Sequence, residues 1–234
     1  MRNYIFIFFL ISTAALTAQF PSGTAANATS QSLEQLGLVY FNSRVHGAEQ
    51  VEGSQHLDET YKPATISGIT QTHLVRFNAY TSQIEVRMDG GATAALPPGR
   101  EFLVDLQDGS GRAYVTRKIP TDDGAPEECF LERIAEGERY RLYERPRIRY
   151  MPEEPAKGYS PHKPARFEAA PSQFYLESFE DGKFLLRQLP RRKKDFIAFF
   201  ADDTYVKTYL KDQKPDLGSK SDLAAFMQAY FSKL

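Results

Sequence analysis

The sequence predicts an α+β protein: an antiparallel β meander forming a sandwich or partial barrel, then a hairpin and two to three short helices. From about Leu38 to Tyr150, apolar residues recur with a period of two. Glycine- and proline-rich turns separate these runs, which is typical of short strands joined in sequence. After Pro190 the apolar spacing changes to that of a helix, so the helices follow the sheet.

Three runs show the strand alternation most clearly. They cover residues 73–80, 83–88 and 101–107, and turn sequences follow or separate them at 89–91, 97–99 and 108–111. We expect their alternate apolar side chains to form the core of the sheet. The residues predicted to face inward are His73, Val75, Phe77, Ala79, Ile84, Val86, Met88, Phe102, Val104 and Leu106.

The C-terminal part is predicted to contain one more hairpin and the helices. Asp181-Gly182 separates two strand-like runs and is a typical two-residue hairpin turn. Phe196, Ile197, Phe199 and Phe200 indicate a short helix. Asp202 or Asp203 is expected to cap a second helix, and Ser219 or Ser221 a third.

Composition divides the chain into five predicted segments. Residues 1–18 form a signal peptide and 19–37 a flexible leader of small polar residues. The antiparallel β domain covers 38–150. Five prolines make 151–171 a connection, because proline cannot donate to a sheet ladder. The hairpin and helices occupy 172–234 and are expected to pack on the sheet.

Export from the cytoplasm is predicted by the N-terminus. Arg2 precedes an apolar run from Tyr4 to Ile11, and small residues follow up to Ala18, as in a secretory signal peptide. The run is far shorter than the roughly 20 residues of a membrane-spanning helix, and no second long apolar run follows. We expect a protein of the periplasm or outer envelope, or a secreted one, without a transmembrane span in its mature chain.

Charge and cysteine content exclude several classes of protein. The formal net charge of −1 gives no basic footprint for nucleic acid. Cys129 is the single cysteine, so no internal disulfide forms, and its glutamate neighbours disfavour the thiolate. His46 and His56 lie near acids, but no spacing matches a metal-ligand pair. The sequence predicts no catalytic residue, no metal and no cofactor.

The most unusual pattern is a stripe of arginines at odd positions of residues 139–150. In a strand these side chains share one face, where they could bind phosphate or carboxylate groups of an envelope lipid, a glycan or an acidic protein. The alternative is a solvated face whose arginines pair across strands with Glu101, Asp105 or Glu132. The stripe consists of Arg139, Arg141, Tyr143, Arg145, Arg147 and Arg149.

A second basic cluster, at residues 191–194, is the densest run of positive charge. It lies at a predicted helix start, where the helix dipole disfavours cations, so nearby acids or an anionic ligand should compensate. The alternative is an ordinary solvated surface. The cluster consists of Arg191, Arg192, Lys193 and Lys194.

Three segments occur in a characteristic order: VRFNAYTSQIEV (75–86), FYLESFEDGKFLLRQLP (174–190) and RRKKDFIAFFADDTYVKTYLKDQK (191–214). The chain ends with DLAAFMQAYFSKL. This layout resembles a group of uncharacterised, signal-peptide-bearing proteins that are widespread in Bacteroidota. The resemblance implies a location in the envelope or secretion, and it brings no known activity or catalytic residues.

Three functions are compatible with the sequence. The favoured one is an exported, non-catalytic protein that binds a partner or ligand, such as an anionic envelope component, through its sheet or its helices. The second is a hydrolase or glycan-active enzyme of unrecognised type, which predicts a pocket with two acids or an oriented histidine. The third is a structural subunit of an envelope assembly, which predicts a large exposed apolar patch.

Overall fold

The computed structural model describes residues 39–40, 51–121, 124–159 and 161–233. They form one antiparallel sheet of ten main strands, with a two-residue strand at its edge, followed by three helices. The predicted α+β class is therefore confirmed. The strands are β1 Val39–Tyr40, β2 Lys62–Ile66, β3 Thr72–Asn78, β4 Gln83–Arg87, β5 Thr93–Ala95, β6 Leu103–Leu106, β7 Ala113–Ile119, β8 Glu127–Glu136, β9 Tyr140–Met151, β10 Arg166–Glu180 and β11 Lys183–Gln188.

The sheet is coiled but does not close into a barrel. Its order is β1-β5-β4-β3-β2-β6-β7-β8-β9-β10-β11, so β1 and β11 are its two edges. The turn between β3 and β4 nevertheless reaches the middle of the sheet. The Phe130 N–H donates to the Ser82 carbonyl at 2.9 Å, and the Ile148 N–H donates to the Ala79 carbonyl at 3.2 Å. Residues from β2 to β8 thereby enclose a first core.

This first core lies on one face of the sheet and contains the side chains that the strand alternation predicts. The stacked rings of Phe77 and Tyr114, 4.8 Å apart, occupy part of it. Of the residues predicted to face inward, all but Met88 are buried, and Met88 packs against the core while partly exposed. Period-two patterning thus places these residues correctly.

The C-terminal hairpin has the predicted two-residue turn. Asp181 and Gly182 both have positive φ, 48° and 81°, and Glu180 pairs with Lys183 across the turn. Positive φ at both central residues is the reason that Asp-Gly is favoured here. Beyond the turn, β11 pairs antiparallel with the second half of β10.

The proline-rich connection is shorter in the structure than the predicted 151–171. Strand β9 ends at Met151, and β10 begins at Arg166. Pro171 lies inside β10, where the register with β9 shifts between Ala170 and Gln173. A residue at such an irregularity need not donate to the ladder, so the sheet tolerates proline there.

Three short helices, α1 Lys193–Phe199, α2 Thr204–Asp212 and α3 Lys220–Phe231, pack on the same face of the sheet as the first core, over β8–β10. Asp203 caps α2 by accepting from the Tyr205 N–H at 2.6 Å, and Ser219 caps α3. None of the helices in the described part is long and apolar enough to span a membrane.

The helices form a second core that is rich in aromatic rings. Phe226 is fully buried at its centre, with ring centroids 5.2–5.8 Å from those of Phe196, Phe200, Tyr209 and Tyr230. Short helices are marginal alone. Their stability therefore depends on this aromatic contact and on the sheet beneath it.

We expect Phe226→Ala to lower the free energy of unfolding by about 3–5 kcal/mol, because it leaves a cavity among four rings. Chemical denaturation monitored by circular dichroism measures this loss. Leu57→Ala is the control, since Leu57 is 40% exposed and should change stability by less than about 0.5 kcal/mol. Equal effects of the two substitutions would contradict the central role of Phe226.

Candidate functional site

The arginine stripe lies mainly on β9, as the odd-position pattern predicts. Arg141, Tyr143 and Arg145 occupy the face of the sheet opposite to the helices, whereas Leu142 faces the helical core. Tyr143 is fully buried between the neighbouring strands. Arg139 precedes β9 and is exposed.

A buried glutamate on β10 holds the centre of the stripe. The Glu177 carboxylate accepts from the Tyr143 hydroxyl at 2.9 Å and from Arg141 Nη1 at 3.2 Å, and Arg117 Nε lies 3.1 Å away. Burial by itself would raise the pKa of Glu177. The Tyr143 hydrogen bond and the two arginine charges outweigh burial and lower this pKa. Glu177 therefore remains ionised and fixes both arginines.

Other stripe arginines also have acid partners on the adjacent strands. Arg145 donates to Glu127 at 2.6 Å, Arg141 to Glu136 at 2.8 Å and Arg149 to Glu168 at 3.0 Å. Arg139 and Arg147 are exposed and make no ion pair with a described residue. Most of the positive charge of the stripe is thus neutralised within the protein. The acids named from the sequence, Glu101, Asp105 and Glu132, are not the partners, because strand pairing brings other acids to β9.

The 191–194 cluster is different, because its cations remain exposed and form no ion pair within the part of the chain that the structure describes. The structure adds Lys211 and Lys214, since Lys193 Nζ donates to the Leu210 carbonyl at 3.2 Å and joins the start of α1 to the end of α2. All six side chains are exposed, and none makes an ion pair with a described residue. We call this surface the α1–α2 basic patch: Arg191, Arg192, Lys193, Lys194, Lys211 and Lys214.

Acids lie near the α1–α2 basic patch without forming an ion pair with a described residue. Asp195 and Asp212 are within the same two stretches, and the Asp216 carboxylate lies against Gly218, as does the Arg191 guanidinium. Arg191 lies against Gly218 in the loop before α3, where any larger side chain would displace it. Several cations at the start of α1 oppose the helix dipole. The exposed cations of this patch form a surface that attracts anions.

A third polar cluster, which sequence reasoning missed, lies over β3 and β4. The Glu85 side chain is buried and accepts from His56 Nε2 at 3.1 Å, Asn78 Nδ2 at 2.9 Å and Arg76 Nε at 2.7 Å. Burial alone would raise the pKa of Glu85, but these hydrogen bonds lower it to about 2. The cluster ties the segment around His56 to the sheet. His56 therefore has a hydrogen-bonding role; His46 lies outside the described residues.

Paired carboxylates occur where α3 begins. Glu132 and Glu144 are cross-strand neighbours, and Lys220 Nζ lies 3.0 Å and 3.7 Å from their carboxylates. Arg112 also lies 3.4 Å from Glu132, and Ser172 donates to Glu144 at 2.6 Å. Both acids are thus neutralised by cations. The arrangement fastens the N-terminus of α3 to the sheet.

Cys129 and His73 both lie in buried surroundings. Burial, with smaller contributions from Glu127 and Glu128, raises the pKa of the Cys129 thiol to about 12. His73 is buried in the first core, and burial lowers its pKa, so it is neutral. Within the described ranges, no three potential metal-ligating side chains come together.

A cleft of about 820 Å³ lies between the β8–β9 turn and α3. It is open, and its lining includes Glu136, Glu138 and Arg139. Glu136 is already held by Arg133 and Arg141 at 3.1 Å and 2.8 Å. The cleft is thus an open surface groove of mixed polarity, lined also by Ala224 and Phe231, and not a deep pocket around two unpaired acids.

Comparisons with protein-family models, curated proteins and solved structures found no match to this chain. Its function is therefore argued from its own residues.

We expect Glu85→Ala to lower the free energy of unfolding by about 3 kcal/mol, because it leaves His56 and Arg76 beside an empty buried site. The depressed pKa predicts that this stabilisation is complete above about pH 4.5 and is lost as the pH falls toward about 2. Urea unfolding at several pH values measures both effects. The acid-dependent loss should be smaller in Glu85→Ala, and an identical pH profile would refute the assignment.

The arginine stripe can be divided experimentally into paired and unpaired members. We expect Arg141→Ser to lower the free energy of unfolding by about 1–3 kcal/mol, since Glu177 and Glu136 each lose a charged donor. Arg139→Ser should change it by less than about 0.5 kcal/mol. Thermal unfolding of the two variants measures the difference. If Arg141→Ser were as stable as the parent protein, the pairing would have no structural role.

Proposed function

We propose that this protein is exported from the cytoplasm and binds the phosphate groups of anionic envelope lipids, without catalysis, through the α1–α2 basic patch. The observation that carries the proposal is the contrast between the two sets of cations. The β9 arginines are mostly ion-paired with β8 and β10 acids, whereas the patch cations are exposed and lack such partners.

Phosphate is the group that such a surface suits best. Arginine donates in a fork that matches phosphate oxygens, and lysine supplies flexible point charges beside it. Clusters of four to eight Lys and Arg on a helical surface are typical of binding to anionic lipid headgroups. The six cations of the α1–α2 basic patch lie within this range.

Two properties of the sequence support a location next to such lipids. The charge, apolar and small-residue order of residues 1–18 is that of a secretory signal peptide. The segment order of residues 75–86, 174–190 and 191–214 resembles that of envelope or secreted proteins of Bacteroidota. An exported protein with a basic helical surface meets anionic headgroups at either envelope membrane.

The test is co-sedimentation with vesicles of phosphatidylglycerol and phosphatidylcholine, against vesicles of phosphatidylcholine alone. We expect binding only to the anionic vesicles and weaker binding at about 300 mM than at about 50 mM salt, because added ions screen exposed charges. The triple variant Arg191→Ser, Arg192→Ser, Lys194→Ser should bind at least about tenfold more weakly, since each cation contributes about 1 kcal/mol.

The matched control removes three exposed cations elsewhere: Arg139→Ser, Arg147→Ser, Lys157→Ser. It should retain nearly all of the binding, because these residues lie outside the α1–α2 basic patch. Equal losses in the two triple variants would indicate a nonspecific charge effect. Equal binding of the parent protein to both kinds of vesicle would overturn the proposal.

A further inference from the structure

Another cleft, of about 330 Å³, lies where the C-terminal hairpin meets the helices. Its lining includes Leu176 and Phe200, which are both buried. Phe179, Tyr230 and Phe231 line it as well, and their rings are partly exposed. We call it the Phe179 cleft. Its volume lies within the range of ligand sites in proteins, near the lower end.

Two charged groups along the Phe179 cleft neutralise each other. Arg187 forms an ion pair with Glu180, and its guanidinium lies 4.6 Å from the Phe199 ring centroid. Ser178 also donates to Glu180, at 2.6 Å. This side of the cleft therefore has no free charge for a ligand.

Arg139 is the remaining charged residue of the lining. It is exposed and makes no ion pair with a described residue. Its backbone is held at the cleft, because the Phe179 N–H donates to the Arg139 carbonyl at 2.9 Å. The Phe179 cleft thus combines partly exposed aromatic rings with one unpaired cation.

The two acids nearest to Arg139 in sequence lie in the neighbouring cleft. Arg139 also lines the cleft of about 820 Å³, together with Glu136 and Glu138. Neither glutamate lines the Phe179 cleft. An anion beside the two glutamates would be repelled, so Arg139 attracts an anion more favourably from the side of the Phe179 cleft.

We infer that the Phe179 cleft binds a small carboxylate with an apolar body, aromatic or acyl, whose charge pairs with Arg139. Arginine donates in a fork that matches carboxylate oxygens, and the rings of the lining suit an apolar body. At roughly 30 Å³ for each heavy atom, the share of a molecule in liquid water, the cleft has room for about 11 heavy atoms. This inference goes beyond the lipid-binding proposal and is independent of it, because no residue of the cleft belongs to the α1–α2 basic patch.

A cationic or neutral ligand of the same shape fits the cleft less well. The charged residues of the lining are two arginines and one glutamate, Arg139, Arg187 and Glu180, which give a net charge of +1. A cation would meet this positive charge, and a neutral molecule would leave Arg139 without a partner. A carboxylate with an apolar body satisfies both the cation and the rings.

Amide NMR spectra of the full chain, titrated with 3-phenylpropionate and with decanoate, test the inference. The neutral control compound is 3-phenylpropanol. We expect the carboxylates to shift the amide signals of Phe179, Phe200 and Phe231 with a dissociation constant of about 0.1–1 mM, and to leave those of β2–β5 unchanged. Tighter binding of 3-phenylpropionate would assign an aromatic ligand, and tighter binding of decanoate an acyl one.

Substitution of Arg139 separates the charge from the apolar contact. Arg139→Ser should weaken binding of both carboxylates about fivefold or more, because their ion pair is lost, and should change 3-phenylpropanol binding by less than about twofold. Arg147→Ser is the matched control, since Arg147 is likewise exposed without an ion pair to a described residue, and it should bind like the parent protein. Phe179→Ser should weaken binding of all three compounds, because it removes a ring that is 42% exposed from the cleft.

Three results would overturn the inference: no shift of the cleft amides at about 10 mM carboxylate, equal affinity for 3-phenylpropionate and 3-phenylpropanol, or equal affinity of Arg139→Ser and Arg147→Ser for the carboxylates. Both arginines are exposed, so both variants should fold and the comparison can be made. Failure here leaves the vesicle experiment unaffected, because that experiment uses no small carboxylate and other residues.

Discussion

The burial of β9 on both faces is the constraint on which the rest of the structure depends. One face carries Leu142 into the helical core, and the other carries Tyr143, also fully buried, between its neighbours. A buried hydroxyl needs a partner, and Glu177 on β10 provides it. The buried Glu177 then needs cations, which Arg117 and Arg141 supply. The packing of Tyr143 thus requires a buried carboxylate, and this carboxylate requires the cation that Arg141 of the stripe provides.

The buried charges of this fold differ from the exposed cations of the α1–α2 basic patch. Buried acids such as Glu85, Glu132 and Glu177 each have nearby cations, because an unpaired buried charge is strongly destabilising. Surface cations have no such requirement. Within the α1–α2 basic patch, the cations of residues 191–194 lie at a helix start, where the dipole disfavours them, whereas Lys211 lies in the last turn of α2 and Lys214 just beyond it, where the dipole favours cations. The fold supplies none of the six with an acid partner among the described residues, and the proposed binding of lipid phosphates would supply that partner.

Backbone groups on the outer side of β11 likewise have no partner strand among the described residues. Strand β9 pairs with β10 along most of its length and with β8 over Arg141–Glu144. The segment at Glu52 pairs with the first part of β10. Strand β11 has no such cover on its outer side. Lys183 and the Arg187–Glu180 ion pair lie along this edge, and charged side chains on an edge strand disfavour pairing with like chains.

The local features were predictable from sequence because they depend on neighbouring residues. Alternation placed Val75, Ile84 and Val104 in the core, and positive φ at Asp181-Gly182 required the hairpin turn. The caps at Asp203 and Ser219 follow from side chains that satisfy nearby N–H groups. The start of β10 was not predicted, because a bulge accommodates Pro171 and no local signal marks it.

By itself, the sequence determined the α+β class, the core-facing residues, the turn and helix caps, and which cations are clustered along the chain. Only the tertiary structure decided which of those cations are neutralised. Arg141 and Arg145 find acids brought to β9 by strand pairing, while Arg191, Arg192 and Lys194 find none among the described residues and gain Lys211 and Lys214 as neighbours. Ion pairing depends on distances of a few ångströms between residues far apart in sequence, and the chain acquires those distances only when it folds.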